Sequence, residues 1–277
     1  MKDLLVGTVL AKDDEAQRQW LGLQLRWLAA TTKDYDHQTV IMEGVEGAPD
    51  DRTQFLEPQD KTKKFHEAHL LGLKILVESF KQKREEYRNF LILDSDAFPI
   101  QKDWLPSLLK ELGSEGFFDN SGMAITGLNK KTYEIAIALR SENLEQRLHA
   151  SVLFIRKPFL DNVRFEVGDV GCDLLGGRES DIHLPHYEEM KGRKRAFPLI
   201  RTNQYNFHPL CCGVYFNMFY HHGSGSRKYN MRGIDYWDDA VPEVCEVHDL
   251  ADGLFRNPEK FIWQLAGWSP DRYPDKV

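Results

Sequence analysis

The stretch Phe90-Leu91-Ile92-Leu93-Asp94-Ser95-Asp96-Ala97-Phe98-Pro99 constrains this chain more than any other. Four consecutive apolar residues without alternation describe a strand buried on both faces, as in parallel and mixed α/β sheets. Such sheets present ligands at the carboxyl ends of their strands, and Asp94 and Asp96 stand at that end. As strand-end groups they are expected to be exposed. Two carboxylates one residue apart repel unless a positive charge lies between them, and hard divalent cations take oxygen ligands. The competing account is an Asp turn that caps a following helix. Pro99 has no ladder donor, so the chain is expected to leave the sheet there.

The flanking sequence alternates strand and helix. Leu4 to Leu10 reads as a first strand. A helix follows to about Thr31, opened by Asp14 and Gln17 as in a capping box and striped by Trp20, Leu21, Leu25 and Leu28. Gln38 to Met42 is a second strand, ending at Glu43-Gly44. Strand, helix, strand opens a doubly wound α/β domain. Residues 45–62 are polar, carry Pro49 and Pro58, and read as a loop. From Lys63 to about Lys83 the pattern is helical, with Phe65, Ala68, Leu73, Leu76, Val77 and Phe80 all suited to burial. Gly72 inside it costs about 1 kcal/mol against alanine, which points to close packing on a neighbour or ligand. Lys102 to Leu112 reads as a helix, and Gly122–Thr126 and His149–Ile155 read as strands, the second ended by Pro158. A last helix is expected near Pro258 to Leu265.

Composition narrows the class. The 277 residues read as a single domain, with no repeat and no low-complexity linker. A net charge of -7 disfavours nucleic acid and anionic membranes as partners. No apolar run reaches the roughly 18 residues of a transmembrane segment, and Met1-Lys2-Asp3 leads directly into a short strand rather than a signal peptide. Cys172, Cys211, Cys212 and Cys245 lack C-x-x-C spacing and read as reduced thiols of a cytoplasmic protein.

A hydrophobic strand ending in Asp94-Ser95-Asp96 resembles the D-x-D motif of the GT-A-fold glycosyltransferases. The resemblance implies a mixed sheet flanked by helices, with about 1–100 as the nucleotide-binding half and about 101–277 as the acceptor half and tail. It implies Mn2+ or Mg2+, held by Asp94 and Asp96 on the diphosphate of a nucleotide-sugar, with UDP-sugar the default donor and a glycan or other hydroxyl as acceptor. The ends of the first strands would cradle base and ribose, making Thr8 and Glu43 candidates. The helix before the motif would approach the donor, with His69 as a candidate. The Gly- and Asp-rich stretch from Gly168 to Asp181 would carry the acceptor-side acid. An inverting transferase needs a general base there. Asp169, Asp173, Glu179 and Asp181 qualify by type, with Asp173 and then Asp169 favoured by their glycine-flanked setting.

The second informative stretch runs from Gly213 to Lys228. An aromatic strand ends in His221-His222, followed by a glycine-rich turn with Arg227 and Lys228. Backbone N–H groups in such a turn can cradle phosphate. His222, Gly225 and Lys228 resemble the H-x-x-G-x-x-K motif of glycogenin-like GT-A families. The resemblance implies that His222 completes the metal ligands and Lys228 holds the diphosphate. The chain departs from that motif at Tyr229-Asn230, where the family has Pro-Trp. Mixed oxygen and imidazole ligation suits manganese better than calcium. Two other classes share features of this chain. Haloacid-dehalogenase-like phosphatases also place D-x-D after a hydrophobic strand, but with Thr or Val where this chain has Phe98. A non-catalytic nucleotide-sugar-binding module would bind donor and metal without turnover.

Overall fold

The strands of the main sheet carry apolar residues on both faces, and two helical layers cover them. The protein is described here by a computed structural model covering residues 1–10, 15–41, 65–114, 123–127, 148–163, 166–168, 181–183, 196–200, 202–203, 213–222 and 255–266. Strand β1 (Lys2–Leu10), helix α1 (Glu15–Thr31) and β2 (Tyr35–Ile41) form the opening unit. Helix α2 (Phe65–Gln82), β3 (Tyr87–Asp94), β4 (Ala97–Pro99) and α3 (Trp104–Ser114) follow. Then come β5 (Met123–Gly127), β6 (Leu148–Arg156), a 3-10 turn (Lys157–Asn162) opened by Pro158, β7 (Glu166–Gly168) and β8 (Asp181–His183). The described elements end with β9 (Ala196–Ile200), β10 (Gly213–Tyr215), β11 (Phe219–His221) and α4 (Pro258–Ala266).

The main sheet is six-stranded and mixed, in the order β2-β1-β3-β6-β5-β9. β1 runs parallel to β2 and β3, β6 is antiparallel to β3 and β5, and β9 is parallel to β5. Alternate side chains of the central strands part cleanly between two cores, as the pleat requires. Leu5, Val9, Phe90, Ile92, Leu153 and Ile155 pack with Leu73, Leu76, Val77 and Phe80 of α2. Leu4, Val6, Leu91, Leu93, Val152 and Phe154 pack with Leu28 of α1 and Trp104, Leu108 and Leu112 of α3. Each such side chain contributes roughly 1.5–3 kcal/mol when fully buried. β3, buried on both faces as its unbroken apolar run requires, is pinned in the middle of the sheet.

A second, three-stranded sheet has the order β10-β11-β4. A third core joins it to α1 and α4 through Trp20, Leu23, Trp27, Phe98, Ile100, Val214, Tyr220 and Ile262.

Two expectations change, and one strand was not foreseen. The chain leaves the main sheet at Asp94, earlier than Pro99, and Ala97–Pro99 then pairs antiparallel with β11. Pro99 is tolerated because β4 is an edge strand. The aromatic run from Gly213 is a hairpin rather than one strand. Phe216 and Asn217 take left-handed φ values of 52° and 53°, and the Met218 N–H donates to the Tyr215 carbonyl at 3.0 Å. Asn tolerates that region and Phe does so rarely, so the sequence disguises the turn. β9 escaped the sequence reading because Pro198 stands in its middle; β9 also lies at a sheet edge, where a missing donor costs little.

Candidate metal centre

The centre is built where the two sheets meet. β3 ends at Asp94 and β4 begins at Ala97, so Ser95 and Asp96 form the junction. β11 pairs with β4 in the register His221↔Ala97 and Tyr220↔Phe98. The His222 N–H extends that ladder, donating to the Asp96 carbonyl at 3.0 Å. This register places His221 over the junction. Its Nε2 lies 3.5 Å from Asp96 Oδ1 and 3.7 Å from Asp94 Oδ2. From α2, His69 Nε2 reaches within 3.5 Å of Asp94 Oδ1.

One ligand atom each from Asp94, Asp96 and His221 fall within 4.8 Å of one another. Ligands of a small divalent cation sit at about 2.1 Å from it, hence roughly 3–4 Å apart. The three atoms are close enough together to share one divalent cation that accepts both carboxylate and imidazole ligands. Asp94 is partly open, its side chain 17% exposed, whereas Asp96 is 4% exposed overall and not the exposed strand-end group expected. Burial pushes the Asp96 carboxyl up, but the charge and hydrogen bond of His221, with help from His222, more than offset burial and the repulsion of Asp94. The net result is a carboxyl below the ordinary aspartate range.

The histidine expected at the metal was His222; the side chain that meets the carboxylates is that of His221. Adjacent strand residues face opposite ways. His222 is fully buried on the other face, with Nδ1 hydrogen-bonded to the Tyr220 hydroxyl at 2.8 Å and its ring 4.6 Å from Trp20.

Thr8, a candidate base or ribose contact, has no exposed surface. Its hydroxyl donates to Gln24 Oε1 at 2.7 Å and lies 3.1 Å from His37 Nε2. Glu43, Asp169, Asp173, Glu179, Gly225 and Lys228 lie outside the described residues. Asp181 pairs with Gly168 across the β7–β8 ladder, so the ends of the Gly- and Asp-rich stretch meet.

Sequence reading missed the buried amides of α1. Gln17, taken as half of a capping box, is 1% exposed, and its Oε1 accepts the Ser95 hydroxyl at 3.1 Å. Gln24 is fully buried and donates to the Asp94 and Ala97 carbonyls, both at 2.7 Å. The available signal was positional: Gln17 and Gln24, seven apart, share the helix face of Trp20, Leu21 and Leu28.

No protein-family model and no curated protein matches the sequence. The chain is similar to glycosyltransferases of known structure. A glycosyltransferase involved in the glycosylation of the major capsid of PBCV-1 is 12% identical over 57% of this chain and 62% of its own, with a TM-score of 0.33. The galactosyltransferase LgtC, solved with donor and acceptor sugar analogues, is 13% identical over 56% of this chain and 58% of its own, with a TM-score of 0.32. In both cases this chain spans less than two thirds of the other protein. A197 from STIV is 13% identical over 80% of this chain and 94% of its own, with a TM-score of 0.37. Among the described residues, no helix is long and apolar enough to cross a membrane.

Proposed function

We propose that the protein is a metal-dependent glycosyltransferase that moves a sugar from a nucleoside-diphosphate sugar, with UDP as the first choice of nucleotide, to a hydroxyl acceptor. The observation that carries this reading is the convergence of Asp94, Asp96 and His221 at the carboxyl end of the central strand β3. Asp94, Asp96 and His221 would hold the cation, with manganese preferred over magnesium for the imidazole. When bound, a divalent cation neutralises charge on a departing diphosphate. Asp96 would be the buried ligand of that centre and Asp94 the more open one. His69 beside Asp94 is placed to donate a hydrogen bond to a ligand seated there. Gly225 and Lys228 would cradle the diphosphate, Glu43 the ribose or base, and Asp173, then Asp169, would take the acceptor proton.

Thermal unfolding tests the reading without knowledge of the acceptor. Without a cation, Asp94, Asp96 and a diphosphate repel, so UDP and Mn2+ together should stabilise far more than either alone. A ligand at 100 times its dissociation constant adds about 2.7 kcal/mol, and each kcal/mol raises Tm by roughly 2 °C in a chain of this size. The expected shift is about 5 °C for the pair and near zero with chelator. GDP, CDP and TDP belong in the same plate. If no nucleoside diphosphate gives a manganese-dependent shift, the reading falls. Hydrolysis of the matching nucleotide-sugar then separates an enzyme from a binding module, which would show the shift without turnover.

A further inference from the structure

We infer that Gln24 is a positioning residue of this centre, a clamp that sets the separation of Asp94 and Asp96; the inference rests on the metal-binding reading above. Asp94 closes β3 and Asp96 lies in the two-residue junction that follows it, and Gln24 grips the residues on either side of that junction. One amide hydrogen goes to the Asp94 carbonyl and the other to the Ala97 carbonyl, each at 2.7 Å. Because both hydrogens are spent on carbonyls, the amide cannot be turned round. Its Oε1 must accept, and the Thr8 hydroxyl donates to it at 2.7 Å. The Thr8 oxygen, having given its proton, is an acceptor for His37, 3.1 Å away, which places a proton on Nε2 of that ring.

The result is a one-way hydrogen-bond relay from β2 through β1 to α1 and onto the junction. Gln24, Thr8, Gln17 and His37 are all buried, so none of these bonds can be exchanged for water at little cost. Two turns earlier on the same helix face, Gln17 Oε1 accepts the Ser95 hydroxyl between the two carboxylates. Helix α1 thus holds the start, middle and end of the junction. A rigid supporting shell of this kind commonly tunes metal sites.

The test is the affinity of the full chain for Mn2+ alone, read from the free-ion EPR signal, alongside thermal unfolding without metal. Gln24→Met keeps length and removes the amide; Thr8→Val is nearly isosteric and removes the lock on Oε1. Leu160→Ala is the control, since Leu160 is fully buried in the turn after β6, beside the opposite end of β3. At a temperature where all are folded by circular dichroism, Gln24→Met should bind Mn2+ at least tenfold more weakly and Thr8→Val several-fold more weakly. Leu160→Ala should match the wild type despite a lowered Tm. Wild-type affinity in folded Gln24→Met overturns the clamp, as does an equal loss in Leu160→Ala. If Gln24→Met does not fold, Thr8→Val decides: weakened binding supports the clamp and unchanged binding overturns it. A wild type that binds no Mn2+ overturns the metal reading itself, and the clamp with it.

Discussion

His221 and Asp96 face each other where β11 meets the β3–β4 junction, Nε2 to Oδ1 at 3.5 Å, while the next residue, His222, turns away into Trp20 and Tyr220. Two neighbouring histidines thus have separable roles. His221→Ala is expected to weaken Mn2+ binding at least tenfold, about 1.4 kcal/mol, with a small change in metal-free Tm. His222→Ala is expected to do the reverse. It empties a fully buried position and strands the Tyr220 hydroxyl, a loss of about 2–4 kcal/mol. Isothermal titration with Mn2+ and a melt of each variant decide the matter; equal profiles would refute the division.

Asp96→Asn removes a charge and keeps the shape. Mn2+ affinity is expected to fall by more than tenfold, since a neutral amide oxygen is a poorer ligand for a hard cation than a carboxylate. Far-ultraviolet circular dichroism should be unchanged. An Asp96→Asn protein with wild-type Mn2+ affinity would remove Asp96 from the ligand set.

At the opposite end of β1, Lys2 and Tyr87 both hydrogen-bond Asp36. Burial pushes the Asp36 carboxyl up, but those two bonds together with the charges of Lys2 and Lys83 more than offset it, leaving the group below its usual range. A depressed carboxyl stabilises the fold above its unfolded pKa of about 3.9 and loses that contribution as pH falls through the folded value. Urea midpoints for the wild type should therefore fall more steeply below about pH 4 than those of Asp36→Asn. Superimposable acid limbs would show that Asp36 is not linked to folding.

Gly7 lies in the middle of β1 under α2. A Cβ there would stand 2.8 Å from both Leu76 Cδ2 and Phe80 Cζ. Gly7→Ala is expected to cost about 1–3 kcal/mol by overpacking, lowering Tm by roughly 2–6 °C. Mn2+ affinity should not move. A variant as stable as the wild type would mean that Leu76 and Phe80 yield freely.

How far the sequence could be read follows from what each signal depends on. The run Phe90 to Leu93 reveals a central strand because burial on both faces leaves no polar position, and β3 does sit mid-sheet. The helices α1, α2, α3 and α4 fall within a few residues of their apolar stripes. The carboxylates and the presence of a nearby histidine were legible. Which histidine was not, because strand parity depends on where the hairpin turns, and the turn falls on Phe216, a residue type rarely found at positive φ. Gln24 was hidden for another reason. A glutamine among leucines looks like an imperfection of the stripe until its partners, the Asp94 and Ala97 carbonyls, arrive from a distant segment.

The β4–β11 pairing has a temporal consequence. Asp94 and Asp96 are made early in synthesis, but His221 joins them only after a long stretch of chain has followed and the hairpin has docked. Closing so large a loop is an entropic cost met before the contact gives any return. A nascent or truncated chain lacking that hairpin would carry the carboxylates without their imidazole partner. The three-residue constellation is thus complete only once the last strand of the hairpin has docked.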